Sequence, residues 1–227
     1  MDLLDRHRTA IGRFASFSAW FGLVMGQLHA LARFRTDDGR SDLESDLVRA
    51  WAEPAGDALG PLLTWADPDV VYVTYGKLWL PVFAAFFLCA LVVHRQRRPR
   101  GFEKGAWRVV LVGYGAAVVS VFGEYWTQWT GETNALLDIV FVASVPAILV
   151  TILGSSVLGI ALVRNGLRPR AAAWLLVATF PFALVITAFT SMGNIVLPIA
   201  FAFGLIGRRL ATEEPVAATV PASVPAR

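Results

Sequence analysis

The chain has 227 residues, of which 56% are hydrophobic, and its mean hydropathy is +0.57. Soluble domains contain roughly 45–50% apolar residues, so this composition argues against a soluble protein. The net charge is only +3, and the basic residues stand in short clusters beside long apolar runs, a pattern that orientation in a membrane explains better than nucleic-acid binding does.

Five apolar stretches predict six membrane-spanning helices. A spanning helix needs about 20 mostly apolar residues. Four runs meet that length: 14–32, 75–93, 106–126 and 136–163. The fifth stretch, 171–207, is long enough for two short spans, and the polar sequence TSMGN at 190–194 predicts a tight turn between them. We interpret the first run as a retained span, because it exceeds a signal peptide in length and no A-x-A cleavage site follows it.

The basic clusters predict the orientation of these spans. With six spans, all the clusters outside the 36–71 loop fall on one side of the membrane, whereas that loop, which is rich in Asp and Glu, falls on the other. The positive-inside rule then places both termini in the cytoplasm of a bacterial cell, with the protein in its plasma membrane. A five-span chain would place the basic sequence GRR at 207–209 outside, against this trend. We therefore predict an all-α polytopic bundle over residues 1–210, followed by a disordered cytoplasmic tail over 211–227.

The loop between the first two spans contains a predicted helix. The sequence SDLE at 41–44 matches a capping box, and Leu43, Leu47 and Trp51 recur on one helical face. We expect Pro54 to end this helix. One or two such helices either lie on the outer membrane surface with their apolar side toward lipid or cap the bundle.

Three ionisable residues fall at one predicted depth in the membrane. His29, Lys77 and Glu124 each lie about 16 or 17 residues from the cytoplasmic end of their spans, which is about 24 to 26 Å at 1.5 Å per residue. The hydrocarbon layer is about 30 Å thick, so all three lie just below its outer boundary. Ionisable residues inside spans usually face the bundle interior or a water-filled cavity, which favours a binding pocket.

Three further polar residues complete the predicted ligand-binding set. Gln27 flanks this level on the first span, Asn194 approaches it from the predicted turn, and Asp138 lies higher, in the headgroup region. In this hypothesis Glu124 is ionised and pairs with Lys77 or His29 around a small polar or charged ligand. The alternative is an interfacial belt, in which charged side chains near helix ends extend toward water among aromatic neighbours.

No motif assigns a catalytic residue, a metal site or a cofactor. The sequence lacks a nucleophile elbow, a P-loop, a GxGxxG fingerprint and an HExxH pair. A metal site of His29, Glu124 and Asp138 would have suitable ligand types but no diagnostic spacing. The single cysteine, Cys89, lies in an apolar run, so neither a disulfide framework nor a CxxC redox pair can form.

One hairpin carries a family resemblance. The sequence LGIALVRNGLRPRAAAWLL, residues 158–176, resembles a junction found in small polytopic membrane proteins of actinobacteria, in which a glycine-bearing span ends in Arg-x-Gly-x-x-Pro-Arg and the next span opens with Ala and Trp. The Arg-rich, Lys-poor composition is similar to theirs. Most such proteins have no assigned activity, so the resemblance implies no catalytic residue.

These observations leave three classes of function open. The first is a membrane protein with an outward-facing polar vestibule that binds or transports a small polar or charged ligand. The second is an accessory or assembly subunit with partner subunits in the membrane, and the third is a membrane-embedded enzyme. In all three the lipid bilayer surrounds the chain, and nucleic acid is not an expected partner.

Overall fold

The structure is a computed structural model that describes residues 3–128, 135–190 and 192–212, with the backbone alone described at 135–138 and 192. These residues form helices and no strand, as predicted. In chain order the α-helices are α1 (Leu3–Arg6), α2 (Arg8–Arg33), α3 (Asp46–Ala58), α4 (Gly60–Leu63), α5 (Pro68–Lys77), α6 (Trp79–Arg97), α7 (Gly101–Val121), α8 (Ala135–Arg164), α9 (Arg170–Val177), α10 (Thr179–Ile186) and α11 (Leu197–Thr212). Two 3₁₀ segments, Arg40–Glu44 and Met192–Val196, and a π-helical turn, Phe122–Trp126, complete the described elements.

Four helical stretches in the described chain are long and apolar enough to cross a membrane. They are Pro68–Arg97, Gly101–Trp126, Ile139–Arg164 and Gly193–Thr212. The protein is therefore an integral membrane protein by the length and composition of its helices. The count of six spans and the cytoplasmic placement of both termini stay predictions.

The other two predicted spans differ from these four in composition and continuity. Helix α2 has 26 residues and a buried face with small side chains such as Gly12, Ala15 and Gly22, and its polar residues Gln27 and His29 lower its hydropathy. The stretch after 170 is divided at Ala178 into α9 and α10, which have eight residues each. The predicted interruption before the last helix is confirmed, because α10 ends at Ile186 and the 3₁₀ segment Met192–Val196 precedes α11.

Small residues allow α2 and α11 to pack closely. A Cβ atom added to Gly12 would overlap the carbonyl of Gly207, and one added to Gly207 would overlap the carbonyl of Gly12. Close backbone approach of this kind is a common way for membrane helices to associate, because lipid offers no hydrophobic driving force between helices. The α2–α11 pair thus forms a closely packed helix–helix contact.

The loop helix α3 packs on the end of α2. Val48 and Ala52 are buried against the α2 end, and Trp51 Nε1 donates a hydrogen bond to the Phe189 carbonyl at 2.7 Å. These contacts favour the capping alternative, although Leu47 on the same helix is 57% exposed. We call the side of the bundle that carries α3 the loop end. The opposite side, which carries the clusters of arginine, is the basic end.

The predicted boundaries of the loop helix were wrong. Ser41 lies inside the 3₁₀ segment and its hydroxyl donates to the Asp38 carbonyl at 3.4 Å, so it does not cap the helix. The N-cap position is Ser45, whose backbone is extended. Pro54 lies inside α3 and does not end it, since a proline removes only one backbone hydrogen bond and the buried face of the helix still holds it in place.

Candidate functional site

A cavity of about 380 Å³ lies between the helices at the loop end. Its lining comes from α2, α5, α6, α7, α8 and the 192–196 segment. Helix α8 contributes one face, with side chains three or four residues apart, as 3.6 residues per turn requires. These α8 residues are Phe141, Ser144, Ile148, Thr151 and Ile152. The volume is within the roughly 300–1,000 Å³ typical of small-molecule sites.

A π-helical turn carries Glu124 and Tyr125 to the wall of this cavity. The turn, Phe122–Trp126, follows directly after α7. Single π turns are rare and occur frequently at functional sites. Gly76 makes room for Tyr125, because a Cβ atom at position 76 would overlap the Tyr125 ring.

His29 stands at the centre of an aromatic cluster. Its ring stacks on Tyr72 with centroids 4.6 Å apart, and it meets Tyr125 edge to face at 5.5 Å and Trp79 at 6.5 Å. The Tyr72 and Tyr125 hydroxyls lie 3.3 Å apart and share a hydrogen bond. Only 2% of His29 is exposed, so its orientation is fixed by these rings.

The residues whose buried polar atoms lack partners all line this cavity. In the described part of the chain these atoms are both ring nitrogens of His29, Trp79 Nε1 and Thr151 Oγ1, and all three residues line the cavity. A buried polar group without a hydrogen bond costs about 1–3 kcal/mol. Native proteins rarely tolerate several such groups together unless the site has a use for them.

One acidic and one basic residue line the same cavity. Arg33 Nε forms an ion pair with Asp42 at 3.1 Å, which ties α2 to the 3₁₀ segment of the loop. Glu124 is half-buried, and no cation of the described chain lies within ion-pair distance of it. The site therefore offers hydrogen-bond donors and acceptors within a mostly apolar wall.

The structure brings some of the predicted site residues together. His29 and Glu124 line the cavity, but the predicted pair between them is absent, since both His29 nitrogens lack a partner. Lys77 is not among the lining residues, and its carbonyl accepts a hydrogen bond from Trp126 Nε1 at 3.2 Å. Lys77 ends α5, and α6 begins at Trp79 after a one-residue break at Leu78, whose backbone stays in the right-handed helical region.

The remaining predicted residues lie beside the cavity or outside the described side chains. Gln27 Nε2 donates to Asn194 Oδ1 at 3.3 Å, and Asn194 Nδ2 donates to Thr190 Oγ1 at 2.9 Å. Asn194 is fully buried and so connects α2 to the turn before α11. The side chain of Asp138 lies outside those that the structure describes.

Sequence reasoning did not select Trp79 or Thr151. In the interfacial-belt alternative Trp79 is one of the aromatic neighbours, and no pattern distinguishes a belt tryptophan from one that faces inward. Thr151 is a lone hydroxyl in the apolar sequence AILVTIL. Such a residue normally bonds to its own helix backbone, so only the structure identifies it as a site residue.

A second polar cluster, also missed, lies at the basic end. The buried carboxylate of Glu103 accepts hydrogen bonds from Arg97, Trp107 and Asn165. All of its donors belong to the protein, and they join the ends of α6, α7 and α8. This cluster is a structural link between helices, in contrast to the cavity.

No protein-family model, no curated protein and no solved structure matches this chain. Its function is therefore inferred from the chemistry of the cavity.

Proposed function

We propose that this integral membrane protein binds a small polar ligand in the loop-end cavity, which faces the outside of a bacterial plasma membrane. One observation carries the proposal: the described buried polar atoms without partners all belong to His29, Trp79 and Thr151, and all three line a single cavity. A ligand that pairs with them recovers a cost of about 1–3 kcal/mol for each group.

The surroundings of these atoms support binding over a purely structural role. The cavity wall is mostly aliphatic and aromatic, with a few polar groups from different helices, which is the usual composition of a small-molecule site. Glu124 and Tyr125 reach it through a π turn. Because several helices contribute, a change in helix packing would open or close the site, as transport requires.

The outward orientation rests on the distribution of charge. The basic end carries the arginine clusters, and the cavity lies at the opposite end beside the acidic loop. By the positive-inside rule, this distribution supports a cavity mouth on the outer side and both termini in the cytoplasm.

The experiment tests access to the cavity from outside intact cells. Cells that carry Glu124→Cys in a Cys89→Ala background are treated with a membrane-impermeant maleimide. Leu62→Cys in the exposed loop is the positive control, and buried Ser155→Cys is the negative control. We expect Glu124→Cys and Leu62→Cys to react from outside and Ser155→Cys to stay unmodified. Reaction at Leu62→Cys alone would refute an outward-open cavity, and reaction of either site only after permeabilisation would refute the orientation.

A second candidate function is that of a subunit in a larger membrane complex. An entirely apolar groove of about 480 Å³ runs between α7 and α8 on the outer surface of the bundle, with Gly105 and Gly154 in its floor. Small residues allow a partner helix to approach closely. This function predicts a fixed partner that copurifies from native membranes in mild detergent. The partner should be lost when Leu153→Trp fills the groove. Val119→Trp, at an exposed position outside the groove, is the control and should keep the partner.

A further inference from the structure

The unpartnered atoms of the cavity are mainly hydrogen-bond donors. Trp79 Nε1 can only donate, because an indole has no acceptor nitrogen. A neutral imidazole contributes one donor and one acceptor, and a threonine hydroxyl can do either. Trp79, His29 and Thr151 belong to three different helices, so a single ligand would need oxygen acceptors on more than one side to meet them.

Thr151 differs from its neighbours on α8 in a way that indicates a ligand. Ser144 and Ser155, one turn or two away, donate their hydroxyl hydrogens to backbone carbonyls four residues earlier. Hydroxyl groups in helices commonly satisfy themselves in this way. The Thr151 hydroxyl is equally buried, at 1% exposure for the residue, yet it makes no such bond.

The wall of the site favours a neutral ligand. Arg33 in the lining is already paired with Asp42, which leaves the Glu124 carboxyl as the lining group that a cation would meet. The lining from Phe83, Ile148 and the 195–196 segment is apolar. An ion of either sign would leave water for this wall at a large cost in solvation free energy.

The cavity also reaches the side of α8 that faces lipid. Phe141 lines the cavity and is 58% exposed, and Ile139 and Val142 beside it are 67% and 72% exposed. Exposed apolar side chains on a spanning helix contact acyl chains. A lipid-soluble molecule can therefore reach the site from within the bilayer.

Taken together, we infer that the ligand is an uncharged, lipid-soluble molecule with carbonyl oxygens on a compact apolar body. Its oxygens accept hydrogen bonds from Trp79 and Thr151, and His29 pairs with a further polar group. Quinones have this chemistry, with carbonyls on opposite sides of a flat ring, and the ester carbonyl of an uncharged glycerolipid such as a diacylglycerol is the other source of it. This inference rests on the proposal above that the cavity binds a ligand, and it narrows that ligand to a lipid-soluble molecule whose polar atoms are carbonyl oxygens.

The test compares two probes of nearly identical shape on the purified full-length protein in phospholipid-free detergent. The first is 2,3-dimethyl-1,4-naphthoquinone, which cannot arylate Cys89 because both of its alkene carbons are substituted. The second is 2,3-dimethylnaphthalene, which has the same ring skeleton without oxygens. Calorimetric titration and the shift in melting temperature measure binding of each.

We expect the quinone to bind at least about tenfold more tightly than the hydrocarbon, which corresponds to one or two hydrogen bonds. Thr151→Val, which is nearly isosteric, and Trp79→Phe each lower the ratio of quinone affinity to hydrocarbon affinity by about tenfold. His94→Phe is the matched control, because this second histidine contacts Trp107 at the basic end and does not line the cavity. Equal affinity for both probes, or an unchanged affinity ratio in Thr151→Val, would overturn the inference.

Two additional arms identify the source of the carbonyl and separate this inference from the proposed function. If an added diacylglycerol, which is uncharged, displaces the quinone competitively, and Thr151→Val weakens that competition, the carbonyl chemistry is supported and a neutral glycerolipid is its source. If the quinone fails to bind while benzyltrimethylammonium binds and Glu124→Gln abolishes that binding, the carbonyl inference is wrong although the cavity still binds a ligand.

Discussion

Replacement of Glu103 by glutamine tests how the basic end of the bundle is held together. Glu103 is 5% exposed, and its carboxylate accepts hydrogen bonds from Arg97 Nε at 2.8 Å, Arg97 Nη2 at 3.2 Å, Trp107 Nε1 at 3.2 Å and Asn165 Nδ2 at 2.6 Å. The side chain of Arg97 is 24% exposed. This carboxylate therefore neutralises a mostly buried guanidinium and joins three helices.

The expected loss of stability follows from these contacts. Glutamine has nearly the same shape, but it keeps one acceptor oxygen and turns its amide hydrogens toward donors on the other side. Hydrogen bonds to charged groups contribute about 1.5–3 kcal/mol each, and breaking a buried ion pair by removing one partner costs about 3–5 kcal/mol. Because Arg97 retains some access to solvent, we expect Glu103→Gln to lower the free energy of unfolding by about 3 kcal/mol.

The assay is reversible unfolding in mixed detergent and SDS micelles, followed by far-UV circular dichroism. Glu44→Gln, at an exposed carboxylate, is the control and should change the free energy of unfolding by less than about 0.5 kcal/mol. The double variant Arg97→Met/Glu103→Gln should lose less stability than Glu103→Gln alone, because it leaves no buried guanidinium without its carboxylate and keeps an acceptor oxygen at position 103. A Glu103→Gln protein within about 0.5 kcal/mol of the parent would show that the buried ion pair is not what stabilises this end.

Two further substitutions test the packing of the cavity. His29→Phe keeps a ring stacked on Tyr72 but removes two unpaired nitrogens. We therefore expect the free energy of unfolding of the ligand-free protein to rise by about 1–3 kcal/mol in the same assay. A fall in this free energy would mean that the imidazole is hydrogen-bonded in the folded state. Gly76→Ala introduces a Cβ atom that overlaps the Tyr125 ring, and we expect it to cost about 1–3 kcal/mol and to weaken quinone binding, through displacement of Tyr125. Gly105→Ala on α7, where a Cβ atom meets nothing within 4 Å, should be neutral or stabilising, and equal effects at the two glycines would contradict the packing argument.

The height of a residue in the bundle could be predicted from the sequence, whereas its direction around the helix could not. Counting 1.5 Å per residue places His29 and Glu124 at one level, and both line the same cavity. Lys77 has the same predicted height, yet it does not line the cavity. The helical hydrogen-bond pattern breaks at Leu78, between α5 and α6. Pro81 is the sequence signal for this break, because it has no N–H to donate to the Lys77 carbonyl, which accepts from Trp126 Nε1 instead. This signal does not give the direction of the Lys77 side chain.

Local sequence signals were weaker than tertiary packing in the loop. The capping box at Ser41 and the proline at position 54 predicted where α3 begins and ends, and both boundaries are set elsewhere. The buried contacts of Val48 and Ala52 with the end of α2 hold the helix, and these contacts join residues far apart in sequence. Similarly, the partners of Glu103 come from three helices, so no single stretch of sequence reveals the cluster.

The two ends of the bundle treat buried polar groups in opposite ways. At the basic end the Glu103 carboxylate is satisfied entirely by protein donors, so this end is stable without any other molecule. At the loop end His29, Trp79 and Thr151 remain without partners, at a cost of about 1–3 kcal/mol per group. A ligand that pairs with these groups binds the folded state alone and so stabilises it in proportion to its affinity and concentration. The cavity is therefore the region where ligand binding should change the stability and motion of the helices most, while the basic end keeps α6, α7 and α8 in register.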